Sequence, residues 1–168
     1  MLRPIPLSSA VLPLVLLIAA CSSGSDSKNP TQPSGPAALV GNWRLRTVNE
    51  SAVPAVAAAG VVGDASYLLT ISEGSLTFRD DGTASSSMQE ILTVDPGGSN
   101  TISFSGEGDY TRDGNVITLI TNTCTPECEP GLTTVINLNT AGTELNYNLQ
   151  TTNPLNGNEI ALELIYTK

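Results

Sequence analysis

Apolar and polar residues alternate with a period of two along most of the chain after residue 38. In the first alternating stretch, Trp43, Leu45 and Thr47 fall on one side of an extended chain. Arg44 and Arg46 fall on the other side, so the pattern predicts a strand with one buried and one solvated face. No stretch after residue 20 keeps a 3.6-residue period over the length of a helix, which favours a chain built from strands.

Turn-forming residues divide this region into nine predicted strands. The strands cover 39–48, 67–72, 75–79, 83–94, 101–112, 116–121, 132–139, 144–151 and 159–167. Asp95-Pro96-Gly97-Gly98 is a typical turn sequence, because proline fixes one φ angle and glycine accepts a positive φ. Glu73-Gly74 predicts a tight hairpin between the second and third strands. Short strands separated by such turns are typical of an antiparallel sandwich or barrel.

Short connections between most of the strands favour an up-and-down order. Eight strands in that order close into a barrel that holds side chains or one small ligand, and closure removes exposed sheet edges. We therefore expect an all-β fold, an antiparallel up-and-down barrel of about eight strands. The conformation of Ser51–Gly63 stays open at this point. The segment is rich in Ala and Val, contains Pro54, and fits either a short helix or a lid-like loop.

The composition argues against several classes of function. The 168 residues include 16 acidic and seven basic residues and no histidine, and the formal net charge is −9. The basic residues do not cluster, whereas nucleic-acid binding needs a basic patch, so no nucleic-acid partner is expected. Histidine is the commonest general base and the usual ligand of catalytic zinc. We therefore expect neither an enzyme nor a bound metal or other cofactor.

Acidic residues beside glycine-containing turns leave two alternatives open. The residues concerned are Asp80, Asp81, Asp95, Asp109 and Asp113. A calcium site would need oxygen ligands converging from several loops, and none of these stretches has the 12-residue spacing of an EF-hand. Ordinary turn chemistry is therefore the favoured interpretation. A pair of catalytic carboxylates in a cleft, as in glycosidases, cannot be placed from the sequence.

The N-terminal residues have the layout of a secretory signal, with Arg3 near the start and an apolar run over 10–20. That run is shorter than the roughly 20 residues of a spanning helix. Ile18-Ala19-Ala20-Cys21 resembles the lipobox of bacterial lipoproteins, whose cysteine is acylated after cleavage. The resemblance implies a signal peptide over 1–20, a lipid anchor on Cys21 and a location in the bacterial cell envelope. Ser22 after the cysteine resembles the sorting pattern for the outer membrane.

The remaining chain divides into two parts. Residues 21–37 are mainly Ser, Gly, Asn, Thr, Gln and Pro, which predicts a flexible linker because so few apolar side chains cannot offset the entropy of ordering. Residues 38–168 contain all the predicted strands and form the expected barrel domain.

Three stretches of the barrel domain resemble, in order, the bacterial lipocalin-like lipoproteins. Gly41-Asn42-Trp43-Arg44-Leu45 is similar to their first strand, and 76–83 to their strand with an Asp-Gly-Thr turn. The stretch 108–119 is similar to their later pair of strands. Ala84 departs from the aromatic residue usual after the turn, and the last strand leaves no room for the C-terminal helix of secreted animal lipocalins. The resemblance implies a barrel with an open mouth, one end plugged by Trp43, and no catalytic residues.

Cys124 and Cys128 are the two cysteines that remain after lipidation of Cys21. In an oxidising envelope two such cysteines are expected to pair, which predicts a structural disulfide in the long connection between two strands. A redox motif would have two residues between the cysteines rather than three. A zinc site would need four ligands, and the chain has no histidine to supply them.

Six residues are candidates for the core or for the lining of a ligand cavity. They are Trp43, Leu45, Phe78, Phe104, Tyr110 and Tyr147. Aromatic residues are only 4% of the chain, so an aromatic sugar-binding platform is not expected, and aliphatic side chains would line most of a cavity. Such a lining suits a small apolar ligand.

Two functions from different classes follow from these observations. The first is a membrane-anchored, non-catalytic barrel that binds a small apolar ligand. The alternative is an envelope structural or protein-interaction lipoprotein with a filled barrel, which uses exposed strands and Ser51–Gly63 to contact a protein that the sequence does not identify. A cavity of several hundred cubic ångströms favours the first function, and a filled interior favours the second.

Overall fold

Ten strands make up most of the chain that the computed structural model describes, which comprises residues 39–126, 128, 130–153 and 157–168. The strands are β1 (Gly41–Val48), β2 (Ser51–Ala52), β3 (Ala55–Val62), β4 (Ala65–Phe78), β5 (Thr83–Asp95), β6 (Gly98–Asp113), β7 (Val116–Thr125), β8 (Leu132–Leu138), β9 (Glu144–Thr152) and β10 (Glu159–Thr167). The predicted signal peptide, Cys21 and the linker over 21–37 lie outside the described residues. Within the described part of the chain, no helix is long and apolar enough to cross a membrane.

Eight of these strands form a closed antiparallel barrel. Neighbouring strands follow the order β1, β10, β9, β8, β7, β6, β5, β4, and β4 pairs with β1 again to close the sheet. At the closure Gly41 lies opposite Phe78, and Arg44 lies opposite both Ser75 of β4 and Thr167 of β10. The predicted all-β, up-and-down barrel of about eight strands is therefore confirmed.

The predicted hairpin at Glu73-Gly74 is wrong, because β4 continues through it as one strand. Both halves of β4 pair with β5, and the register shifts by one residue between Ile71 and Glu73, which is the mark of a bulge. A Cβ atom at Gly74 would lie 3.2 Å from side-chain atoms of Leu45. The glycine therefore allows close packing of the neighbouring strands β1 and β4 and does not form a turn.

The segment Ser51–Gly63 is extended, and it forms neither a helix nor a lid-like loop. Its β3 strand pairs with the N-terminal half of β4, from Ala55 opposite Ile71 to Val62 opposite Ala65. Only the C-terminal part of β4 pairs with β1, so its N-terminal half has a free edge that β3 covers. Among the described strands, β3 pairs with β4 alone.

Inward-facing residues of the barrel strands form one apolar core. Its fully buried members include Trp43, Val48, Phe78, Ile136 and Leu164. Trp43 and Leu45 face the interior of the barrel, as predicted for β1. The prediction for Thr47 is wrong, because Thr47 is half-buried and the next residue, Val48, is fully buried instead. The reason is a register shift against β10 between Leu45 and Thr47, which turns the following residue inward.

Candidate functional site

One end of the barrel is closed by the single tryptophan. The Trp43 side chain is fully buried, and its indole Nε1 donates a hydrogen bond to the carbonyl oxygen of Leu39 over 2.8 Å. The Nζ atom of Lys168 lies 5.0 Å from the centre of the Trp43 ring. The same ammonium group donates a hydrogen bond to the carbonyl oxygen of Val40 over 2.9 Å. Chain segments before β1 and after β10 thus seal this end against water.

A pair of aromatic rings packs at the same closed end. Phe78 and Tyr110 meet edge to face, with ring centres 5.0 Å apart and planes at 81°. The Tyr110 hydroxyl donates a hydrogen bond to the carbonyl oxygen of Arg79 over 2.7 Å. Partial burial, and then the nearby Asp81 and Asp80 carboxylates, raise the pKa of the Tyr110 phenol, so it remains a protonated donor.

The turn carboxylate Asp81 has a structural role at this end. It accepts hydrogen bonds from the backbone N–H and the hydroxyl of Thr83, over 2.9 and 2.7 Å. These bonds lower the pKa of the Asp81 carboxyl, as expected for an Asp side chain that closes its own turn. The described residues contain no group of three or more acidic or cysteine side chains placed to hold a metal ion.

The other half of the barrel contains a cavity of about 280 Å³. Most of its wall is apolar and comes from β4 to β10. The apolar lining residues are Leu76, Met88, Phe104, Leu119, Leu132, Ile136, Leu149 and Leu164. Because the lining comes from strands all round that half of the barrel, the cavity lies inside the barrel and not on its outer surface.

The burial of β8 shows in which direction the cavity opens. Along its inner face, Ile136 is fully buried, Thr134 is half-buried and Leu132 is 56% exposed. Pro126 and Cys128 line the cavity at the same end as Leu132 and are exposed. The cavity is therefore closed towards Ile136 and open to solvent beside the β7–β8 connection.

The predicted disulfide lies at this mouth. Cys124 and Cys128 are joined, with Cα atoms 5.8 Å apart, and both residues line the cavity. A register shift between β6 and β7 pairs Glu107 with Thr123 and Gly108 with Thr121. The extra residue in β7 lets Thr121 and Cys124 both reach the cavity although three positions separate them.

Glycine is required in β6 at the same register shift. A Cβ atom at Gly108 would lie 2.0 Å from the carbonyl oxygen of Ile120, which is backbone and cannot move aside. Glycine at this position therefore allows the close approach of β6 and β7 beside the register shift.

The polar residues of the cavity wall mainly carry hydroxyl groups. They are Ser86, Ser87, Ser105, Thr121, Thr125, Thr134, Tyr147 and Tyr166. The hydroxyl of Ser87 is hydrogen-bonded to that of Ser75 at the exposed surface, so Ser87 lines the cavity with its other atoms. Burial raises the pKa of the Tyr147 phenol, partly offset by its hydrogen bond with Thr134. Burial, and then the nearby phenol of Tyr147, raise the pKa of Tyr166. Both phenols are therefore uncharged at neutral pH.

Five of the six candidate residues divide between the two ends of the barrel, and the sixth lies in the core. Phe104 and Tyr147 line the cavity. Trp43, Phe78 and Tyr110 lie at the closed end, and Leu45 is buried in the core.

Sequence reasoning missed Tyr166, Met88 and most of the aliphatic lining. The period-two pattern of β8, with Leu132, Thr134 and Ile136 on one face, was a usable signal for part of it.

No protein-family model matches this chain, and a search of curated proteins finds no significant match. The barrel, its cavity and the lipobox-like sequence are therefore the features that bear on function.

Proposed function

We propose that this protein is a membrane-anchored envelope lipoprotein whose lipocalin-like barrel is non-catalytic and binds a small apolar ligand. The observation that carries the proposal is the cavity of about 280 Å³, which is lined mainly by hydrocarbon side chains and open beside the disulfide. Such a cavity lies near the lower limit of known small-molecule sites, which start at about 300 Å³. The ligand it suits is correspondingly small.

The chemistry of the cavity wall favours binding over catalysis. Its described lining residues offer hydrocarbon, hydroxyl and disulfide groups. General acid–base catalysis at neutral pH needs a group that exchanges protons near that pH. Tyr147 and Tyr166 are the titratable groups among the described lining residues, and burial moves the pKa of both phenols further from neutrality.

The anchor is supported by the lipobox-like Ile18-Ala19-Ala20-Cys21 and by the linker that follows. A flexible linker of this length has a root-mean-square reach of roughly 20 Å, enough to separate a small barrel from a bilayer surface. The test is palmitate labelling of the wild type and the Cys21→Ser variant in a bacterial host. Labelling of the wild type alone supports the anchor, and equal labelling of the variant contradicts it.

Ligand binding is tested with N-phenyl-1-naphthylamine, a neutral apolar dye whose emission rises in an apolar site. The wild type is expected to bind it saturably. Thr134→Trp places an indole in the cavity and should abolish binding, whereas Val135→Trp places the same ring on the outer face, where Val135 is 52% exposed. Absence of binding to the wild type, or unchanged binding to Thr134→Trp, would contradict the proposal.

A second candidate function, protein interaction, is favoured by a different observation. Val56 and Val61 of β3 are 52% and 71% exposed, and the adjoining Leu68 of β4 is also exposed. The strand has a free edge among the described residues and contains no charged side chain, in a chain whose net charge is −9. An uncharged apolar edge can pair with itself without repulsion, so the partner we infer is a second copy of this chain.

Sedimentation equilibrium tests this second function. The wild type should form a dimer that Val61→Lys weakens, because a charge on an edge strand opposes pairing. Val135→Lys is the matched control and should leave the dimer intact, since Val135 lies in the barrel wall away from β3. A monomeric wild type would contradict the interaction.

A further inference from the structure

We propose that the cavity selects uncharged ligands that carry a hydrogen-bonding oxygen, such as alcohols, ketones or lactones with an apolar body, and rejects carboxylates and amines. This inference depends on the proposed ligand-binding function and adds the chemical class of the ligand. Its basis is the combination of a hydroxyl-bearing wall with the lack of charged side chains among the described lining residues.

The first step concerns charge. Transfer of an ionised carboxylate or ammonium group into an apolar site is very costly unless an opposite charge or several hydrogen bonds compensate it. None of the described residues that line the cavity is Asp, Glu, Lys or Arg, and the chain has no histidine. A bound anion or cation would therefore meet no partner of opposite charge among the described residues that line the cavity.

At the mouth, a charged head group could stay in water. An adjoining polar depression of about 280 Å³ shares Ser86, Gly106 and Cys124 with the cavity, and its charged residue is Glu107. Glu107 is exposed and alternates with the buried Gly106 and Gly108, so its carboxylate lies on the outer face of β6. An anion that approaches the mouth would meet a protein of net charge −9. The site therefore disfavours anions both inside the cavity and at its entrance.

The polar groups that the cavity does offer are neutral hydroxyls. Tyr147 and Tyr166 lie close enough for one phenol to affect the pKa of the other, and Thr134 is hydrogen-bonded to Tyr147. The hydroxyls of Ser86 and Thr121 lie in the opposite part of the lining, on β5 and β7. Neutral hydroxyls donate to ketone, ether or alcohol oxygens without a charge on either partner. Because the phenols remain protonated, their hydrogen bonding to a ligand oxygen should not change with pH between 5 and 8.

The first experiment uses two dyes that differ by one charge. N-phenyl-1-naphthylamine and 1-anilinonaphthalene-8-sulfonate share the same two ring systems, and the second carries an added sulfonate. We expect the neutral dye to bind at least about tenfold more tightly at pH 7, because the sulfonate would be buried without a partner. Measurements at low and moderate salt distinguish repulsion by the whole protein, which salt screens, from the cost of burial, which it does not.

The second experiment measures displacement of the neutral dye by 1-decanol, decanoate and decylamine. Decanol should compete best, with the two charged analogues weaker by about tenfold or more. Tyr147→Phe and Tyr166→Phe should weaken decanol by roughly two- to tenfold, the usual effect of one hydrogen bond. Both variants should change the affinity for the dye less than that for decanol, because the dye contains no oxygen to accept a hydrogen bond from a phenol.

The outcomes separate this inference from the proposed function. If neither the neutral dye nor decanol binds, the ligand-binding function itself is wrong. If the neutral dye binds but the sulfonated dye or decanoate binds as tightly, only the selectivity for uncharged ligands is wrong. If both phenylalanine variants bind decanol as tightly as the wild type, the phenols do not supply the hydrogen bond, and the assignment of an oxygen-bearing ligand is overturned.

Discussion

The two ends of the barrel are built from the same strands but are packed differently. At the closed end, Trp43 and Phe78 are fully buried, and Lys168 covers the indole ring. At the open end, Leu132 is 56% exposed on the inner face, and Phe104 is only half-buried although it points into the barrel. Aromatic side chains thus fill one end, while the other leaves space and closes its rim with a disulfide.

This difference indicates a division of roles within one sheet. Close packing of large side chains at the closed end stabilises the fold, because each buried ring removes a large apolar area from water. A cavity costs stability, since the groups that line it lose packing partners. Closing the barrel at one end therefore provides the stability that an unfilled opposite end requires. Substitutions at the closed end should accordingly lower stability, and substitutions at the open end should lower ligand binding.

The largest effect is expected at the closed end, from Trp43→Ala. Loss of the buried indole should lower the free energy of unfolding by about 3–5 kcal/mol, a large part of the 5–15 kcal/mol usual for a domain. Urea unfolding followed by far-UV circular dichroism measures it, with Trp43→Phe as the milder control. Variant protein that remains folded should still bind N-phenyl-1-naphthylamine, because Trp43 does not line the cavity.

The wild-type fluorescence gives an independent check of the same comparison. Emission of the single tryptophan should be blue-shifted in the native state and shift red on unfolding. Cavity ligands should leave it nearly unchanged, since Trp43 is absent from the lining. A native spectrum like that of free tryptophan in water, or a loss below about 1 kcal/mol in Trp43→Ala, would contradict the structural role of the closed end.

The next effect in size is expected at the mouth, on reduction of Cys124–Cys128. The disulfide closes a loop of about five residues, so its removal should cost about 2 kcal/mol and lower the melting temperature by several degrees. Thermal melts with and without reductant measure this, and the double serine variant should match the reduced protein. Because both cysteines line the cavity, reduction should also weaken dye binding. Loss of all β-structure on reduction would show that the mouth contributes to stability as much as the closed end.

A smaller effect is expected from Lys168→Met at the closed end. The substitution keeps an apolar chain but removes the ammonium group above Trp43 and its hydrogen bond to Val40. An exposed cation–π contact contributes about 0.5–1 kcal/mol. Urea titrations should show a loss of that size, and Lys168→Arg, which keeps the charge, should recover most of it. Unchanged stability in Lys168→Met would show that the cation does not contribute to this end.

The sequence predicted what depends on local chemistry. The turn at Asp95-Pro96-Gly97-Gly98 and the pairing of Cys124 with Cys128 follow from neighbouring residues, and the structure has both. The alternation that predicted strands is equally local, and it was enough to predict a barrel of about eight strands.

What depends on distant pairing could not be read from the pattern. Glu73-Gly74 has turn-forming composition, yet pairing with β5 and packing on Leu45 keep β4 extended through it. The segment Ser51–Gly63 becomes a strand because β4 offers it a free edge. Tyr166 lines the cavity because of the register in which β10 pairs with β1 and β9. The cavity is the space that remains between the packed side chains, and its volume cannot be predicted from the pattern of residues.

The smallest effect concerns Glu90, a carboxyl on the inner face towards the open end. It is only 9% exposed and lies opposite Ile71 of β4 and Ile102 of β6. Burial raises the pKa of the Glu90 carboxyl above its ordinary value of 4.5. The folded protein therefore binds this proton more tightly than the unfolded chain. The resulting stability is fully present below the ordinary pKa and is lost as pH rises through the raised value.

Glu90→Gln removes this pH-dependent loss. The stability of the variant relative to the wild type should rise from pH 4 to pH 7, because loss of the Glu90 proton destabilises the wild type and cannot occur in the amide. Urea midpoints at the two pH values measure the effect, with the exposed Glu73→Gln as the matched control on the adjacent strand. A gain equal at both pH values would show that amide packing, rather than the buried charge, is responsible. A loss at pH 7 would show that the open end uses the carboxylate to stabilise the fold.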